Sequence, residues 1–259
     1  MRPNRRYGER QPSFAILLLL HEMFRTANES GIPPVTCCFI VGQILLFMRY
    51  IQVPWSVWDV CISVDKAFWS KDWKRFVFSA FEHADDWHLY YNMVSFLAKG
   101  RTLERRFGSK YFLYLLIVFT IMTNITYVTV SYALSELLLD HSYSRTCAVG
   151  FSGVIFALKV LTTHYWPSGG HSFMGISITS KYVVWSELIL IQLISPNASF
   201  VGHLSGIIVG LAYIHGPLKQ LMDLVATPPY PTSDNFQSFH QPSYPDLDTL
   251  RNLRRQRYR

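Results

Sequence analysis

Four polar side chains stand out in a chain of 259 residues that is 50% apolar: Ser152 within Gly150-Phe151-Ser152-Gly153, His203 within Gly202-His203-Leu204-Ser205-Gly206, and the pair His88 and Asn92. A serine hydroxyl is a weak nucleophile until a base within about 3 Å takes its proton, and histidine suits that task near neutral pH. His88 and Asn92 lie at i and i+4, on one helical face, and both can donate hydrogen bonds to a developing oxyanion. With the backbone N–H of Ser152 they would make a three-donor hole. The chemistry implied is acyl transfer, with Ser152 as nucleophile and His203 as general base and then acid. Asp85, Asp86 and Glu187 have no spacing that would orient His203, so the reading is a dyad, and neither metal nor cofactor is required. Each residue also has a plainer reading. A serine between glycines commonly serves helix packing, a histidine near a helix end is commonly interfacial, and His88 with Asn92 can simply bond neighbouring helices.

A dyad needs two helices in very close approach, and small residues stand where that contact would fall. Gly206 and Gly210 follow His203 at i+3 and i+7, while Gly153 and Ala157 form a small-xxx-small step beside Ser152. The elements carrying these residues are apolar enough for a bilayer. Aromatic residues make up 15% of the chain and charged ones 16%, a balance that suits membrane better than cytosol. Six spans are expected over about 34–50, 87–99, 111–134, 149–165, 182–194 and 200–218, several of them short for the roughly 20 residues that a bilayer requires. The fold class expected is all-α: a six-transmembrane-helix bundle over 34–218. A cytosolic N-terminus over 1–33 precedes it, with an interfacial helix near 14–24.

The net charge of +7 sits in short clusters beside apolar runs rather than on one soluble face, which argues for topology signals and against a nucleic-acid surface. Arg2, Arg5, Arg6 and Arg10 precede the first span, and Lys99, Arg101, Arg105, Arg106 and Lys110 fall between spans two and three. Both clusters are expected in the cytosol, as are both termini. Spans two, four and six then open on the outer side, which brings His88, Ser152 and His203 to one depth. Lys159, about 10 Å deeper than Ser152, is expected to snorkel to the cytosolic side, and Glu187 has no reading. Cys61 and Cys147 could meet in a luminal disulfide, although plain packing is the commoner fate of such cysteines. The Asn-x-Ser/Thr matches at Asn28, Asn124 and Asn197 fall where no glycosylation is expected.

After Pro217 the sequence turns rich in proline, serine and tyrosine. A disordered cytosolic linker is expected over 219–246, then a basic partner-binding helix over 247–259 carrying Arg251, Arg254, Arg255 and Arg257. An anionic lipid surface or a partner protein would suit it.

The chain resembles the rhomboid intramembrane proteases. The likeness rests on His83, His88 and Asn92 in HADDWHLYYN, Glu104 and Arg106 in LERRFG, GFSG at 150–153 and GHLSGIIVG at 202–210, and covers about residues 34–218. It implies a six-helix core with a Ser/His dyad in a water-accessible cavity, cleaving transmembrane or juxtamembrane segments of membrane proteins. Where many members have Trp-Arg in the first loop, this chain has Trp73-Lys74-Arg75. Within the family the wording is most similar to the endoplasmic-reticulum branch. That similarity implies degradation of unstable membrane proteins and binding of valosin-containing protein by the Arg-rich tail helix. Two other classes remain open: a catalytically silent scaffold that hands membrane clients to a cytosolic ATPase, and a transporter using Glu187 and Lys159.

Overall fold

The computed structural model describes residues 13–166, 171–173, 176–178 and 180–228. The expected linker beyond 228 and the basic helix with Arg251, Arg254, Arg255 and Arg257 lie outside them, as do Arg2, Arg5, Arg6 and Arg10.

Among the described residues the long elements are helices: α1 (Phe14–Ser30), α2 (Pro34–Phe47), α3 (Asp86–Phe107), α4 (Ser109–Leu137), α5 (Ser152–Tyr165), α6 (Ser180–Ile194), α7 (Phe200–Ile214) and α8 (Leu218–Asp223). Between α5 and α6 a short antiparallel pair, β1 (His171–Phe173) and β2 (Ile176–Ile178), joins with His171 opposite Ile178. This short hairpin sits within a fold that is otherwise all-α, as expected.

Local chemistry sets the helix ends. Ser13 caps α1 by accepting from the Ile16 N–H, Asp85 caps α3 by accepting from the His88 N–H at 2.8 Å, and Ser199 caps α7 through the Gly202 N–H at 3.1 Å. Pro34 opens α2 at a position where its missing N–H is no loss. Glu104 of α3 then takes over the capping of α2. Its carboxylate accepts from the Val35 N–H at 2.9 Å, the Thr36 N–H at 2.7 Å and the Thr36 hydroxyl at 2.8 Å, negative charge against the positive helix end.

The second expected span stops at 99, yet α3 runs on to Phe107. Lys99, Arg101, Arg105 and Arg106 therefore lie on its last turns, and Lys110 in the first turn of α4, rather than in a loop. Those charges are accommodated individually: Arg101 and Arg105 donate to Ser30 and Gly31 at the end of α1, and the Arg106 guanidinium lies 4.1 Å from the centre of the Tyr165 ring. The residues past 218 also depart from the disordered linker expected there. Helix α8 buries Leu218 and Met222, and Asp223 accepts from the Tyr111 hydroxyl at 3.2 Å.

Among the described residues, by length and composition only α4, at 29 residues, is apolar and long enough to cross a bilayer unaided; 34–47, 182–194 and 200–214 are apolar but shorter. A 15-residue helix such as α7 rises about 22 Å, against roughly 30 Å of hydrocarbon. Large apolar side chains nonetheless face outward on several helices, including Leu113 and Ile117 on α4, Ile189 and Leu193 on α6 and Phe200 on α7. The α1 helix is two-sided: Ile16, Leu19 and Met23 are buried against the bundle while Phe14, Leu17 and Phe24 are exposed.

The long connection between α2 and α3 is anchored to the segment that leads into α5. Cys61 and Cys147 form a disulfide, with Cα atoms 5.5 Å apart, so the less favoured of the two sequence readings is the one found. Beside it Ile62 and Ala148 exchange both backbone hydrogen bonds at 2.9 Å. The buried Arg75 guanidinium donates to the Cys61 carbonyl at 2.6 Å and to Asp72 at 2.9 Å. These contacts hold residues 147–150 in place two residues before Ser152.

Candidate active site

Ser152 is the first residue of α5 and His203 the fourth of α7. His203 Nε2 lies 3.0 Å from Ser152 Oγ, within hydrogen-bond reach. The approach depends on the absence of side chains. A Cβ on Gly206 would lie 1.8 Å from the Gly153 carbonyl oxygen, one on Gly153 would lie 2.9 Å from the Gly202 carbonyl oxygen, and one on Gly210 would lie 2.9 Å from the Ala157 carbonyl oxygen. Gly153, Ala157, Gly206 and Gly210 thus meet at the seam between α5 and α7, where the sequence spacing puts them.

The His203 ring is buried and stacks on Phe156, centroids 4.7 Å apart at 30°. Its Nδ1 has no hydrogen-bond partner among the described residues, so no carboxylate orients the imidazole. Phe156 escaped notice in the sequence, although its place at i+4 from Ser152 sets it on the same helical face and was the available signal.

His88 reaches the site from α3. Its Nδ1 accepts from the Ala84 N–H at 3.4 Å, which leaves the proton on Nε2. Nε2 and Cε1 crowd Gly150, where a Cβ would come within 2.9 and 2.8 Å of them. Gly150 has φ of +115° and donates its N–H to the Ser79 carbonyl at 2.9 Å. Only glycine meets both demands, the backbone angle and the close ring. Asn92 is buried and gives one amide N–H to the His88 carbonyl at 2.7 Å. It braces its own helix one turn below His88. The N–H groups of Ser152 and Gly153, in the first turn of α5, have no partner within the helix and sit at its positive end.

Behind Ser152 lies a cavity of about 30 Å³, bordered by Ser79, Thr123, Asn124, Tyr127, Gly150 and Ser199. That is room for a water molecule. Asn124 is held there by the Phe76 carbonyl at 2.8 Å and the Ser79 hydroxyl at 3.1 Å.

His83 is buried in the connection before α3, its ring edge-on to His88 with centroids 5.1 Å apart. Burial, with the neighbouring His88 adding to it, pushes its pKa well below the usual imidazole value, so it stands neutral. Lys159 does not snorkel. Its Nζ pairs with Glu187 of α6 at 3.0 Å, and Lys99 of α3 approaches the same carboxylate at 4.0 Å. Glu187, which has no place in the dyad reading of the sequence, is the partner of Lys159. Among the described residues no group of histidine, cysteine, aspartate or glutamate side chains is placed to hold a metal ion.

Residues 70–219 match the rhomboid domain. With helices at this close contact and this array at their ends, the chain belongs to the rhomboid family, and so is a membrane protein. It is 44% identical over 212 residues to rhomboid-related protein 4 of Mus musculus and 44% identical over 211 residues to that of Homo sapiens; each match takes in 82% of this chain but 66% of the relative. It is also 41% identical over 189 residues to rhomboid-like protein 14, mitochondrial, of Arabidopsis thaliana, covering 70% of this chain and 55% of that protein.

Proposed function

We propose that the chain is an intramembrane serine endopeptidase that cleaves transmembrane or juxtamembrane segments of other membrane proteins. The observation that carries this reading is the 3.0 Å approach of His203 Nε2 to Ser152 Oγ at a helix seam built from glycine. In the first step Ser152 Oγ attacks the scissile carbonyl while His203 Nε2 takes its proton. The tetrahedral oxyanion is met by the Ser152 N–H, the His88 Nε2–H and the second N–H of Asn92, each donor worth roughly 3 kcal/mol in such a site. Collapse of the intermediate breaks the C–N bond, and His203 returns the proton to the leaving amine. A water then attacks the acyl ester with His203 again as base, releasing the acid and restoring Ser152. The cavity behind Ser152 is a ready source of that water.

The membrane domain is proposed to have six spans, α2 to α7, with the short helices set in a locally thinned bilayer. Cationic residues at the cytosolic end of α3 support a cytosolic N- and C-terminus. Residence in the endoplasmic reticulum and a part in degrading unstable membrane proteins are proposed from the sequence resemblance to that branch of the family. The Arg-rich tail with Arg251, Arg254, Arg255 and Arg257 is proposed to bind lipid or valosin-containing protein.

The test is co-expression of the full chain, or its Ser152→Ala variant, with a membrane substrate in a host lacking other rhomboids. Cleavage by the wild type alone is expected. Equal cleavage by the variant overturns the proposal, and folded wild type that binds clients without cutting them favours the scaffold.

A further inference from the structure

The unpartnered Nδ1 of His203 raises a physical question: what fixes an imidazole that no carboxylate holds? Its fixed contacts are the Ser152 hydroxyl and the face of Phe156. Phe156 is in turn packed among buried apolar side chains. It belongs to a buried cluster with Val160, Val184, Leu188 and Ile207, in which Val184 and Leu188 come from α6. The position of α6 therefore decides how firmly Phe156 can press on the ring.

Helix α6 has one strong tether in this neighbourhood. Glu187, between Val184 and Leu188 in sequence, pairs with Lys159 of α5 at 3.0 Å and lies 4.0 Å from Lys99 of α3. Lys99 also donates to Ser95 at 2.6 Å. In a chain embedded in lipid, ion pairs at this depth are strong because no water competes, and charges left single there are costly. Moving α6 outward would separate them.

Resting on the dyad reading above, the geometry points to Glu187 as a positioning residue for His203. The ion cluster Glu187–Lys159–Lys99 seats α6, α6 presses Val184 and Leu188 onto Phe156, and Phe156 holds the imidazole at the angle that lets Nε2 face Ser152. Glu187 does so without touching His203 Nδ1, which is how the chain dispenses with a third member beside the ring.

The experiment measures the rate at which a fluorophosphonate probe labels Ser152 in the full chain, reconstituted in vesicles, as a function of probe concentration. The probe is small and needs no entry of a substrate helix, so its maximal rate reads the dyad and its oxyanion donors rather than substrate entry. Glu187→Gln is expected to lower that maximal rate by roughly tenfold to a hundredfold, the range that small misplacement of a reacting group produces, and to leave the half-saturating concentration unchanged. Exchanging the pair, Glu187→Lys with Lys159→Glu, in a Lys99→Met background that leaves no like charge beside position 187, is expected to restore most of the rate. Leu188→Ala, which leaves no charge unpaired, is expected to show the same loss and keeps the test open should the glutamine variant not fold. An unchanged maximal rate in Glu187→Gln or in Leu188→Ala overturns the inference. So does a loss that the exchange does not restore, which would assign the effect to the carboxylate's own location. A wild type that does not label at all overturns the dyad reading itself, which is a different result.

Discussion

Gly206 on α7 and Gly153 on α5 are in backbone contact: a methyl group on the first would sit 1.8 Å from the carbonyl oxygen of the second. The distance between Ser152 and His203 follows from that contact, because each lies on the same helix within three residues of one of the glycines. Gly206→Ala must drive the helices apart by more than 1 Å, so proteolysis and Ser152 labelling are expected to fall at least a hundredfold, with a loss of stability of about 1 to 3 kcal/mol. Gly42→Ala on α2, where the added methyl meets nothing within 4 Å, should raise the melting temperature slightly instead. Thermal unfolding in detergent and probe labelling check both.

Gly150→Ala should act through His88. The new methyl would meet the ring at 2.8 Å, and the residue's φ of +115° disfavours any side chain. A loss of oxyanion stabilisation comparable to that in His88→Ala is expected, roughly a hundredfold in maximal rate. Because both substitutions disable one donor, the double variant should be little worse than either alone. Fully multiplicative losses would contradict this.

The disulfide between Cys61 and Cys147 closes a sequence separation of 86 residues. By the loop-entropy argument it stabilises the fold by about 4.6 kcal/mol. The double Cys→Ser variant, and the wild type in reductant, should melt at the same lowered temperature. A melting temperature indifferent to reductant would contradict the assignment.

His83 supplies a pH dependence. Its folded pKa is depressed well below 6.5, by burial first and by His88 second, so the folded protein binds fewer protons there than the unfolded chain once pH drops through that value. Its contribution is fully present above pH 6.5 and is lost as pH falls further, at about 1 kcal/mol per pH unit. His83→Phe should flatten the acid side of the stability profile between pH 6.5 and 5, measured by thermal unfolding. An unchanged slope would contradict a neutral, buried His83.

Much of the candidate site was legible because it rests on short-range pattern. The i, i+4 spacing of His88 and Asn92 and the small residues flanking Ser152 and His203 are properties of a helix alone. What escaped depends on which helices become neighbours. Phe156 gains its role only when His203 comes to lie on it, and Lys159 was misplaced because its partner Glu187 is on a different helix. Hydropathy ends the second span at Lys99, but the helix itself continues because Glu104, Arg105 and Arg106 find partners on α2, on α1 and at the Tyr165 ring. The same holds beyond 218, where Asp223 is ordered by a tyrosine 112 positions earlier.

The central claim is that Ser152 is a nucleophile activated by His203. The most direct measurement is labelling of the full chain in membranes with a fluorophosphonate probe, the modified residue located by mass spectrometry. Adduct on Ser152 in the wild type and its loss in folded His203→Ala are expected. A folded wild type without adduct, or a His203→Ala variant labelled as fast as the wild type, would contradict it.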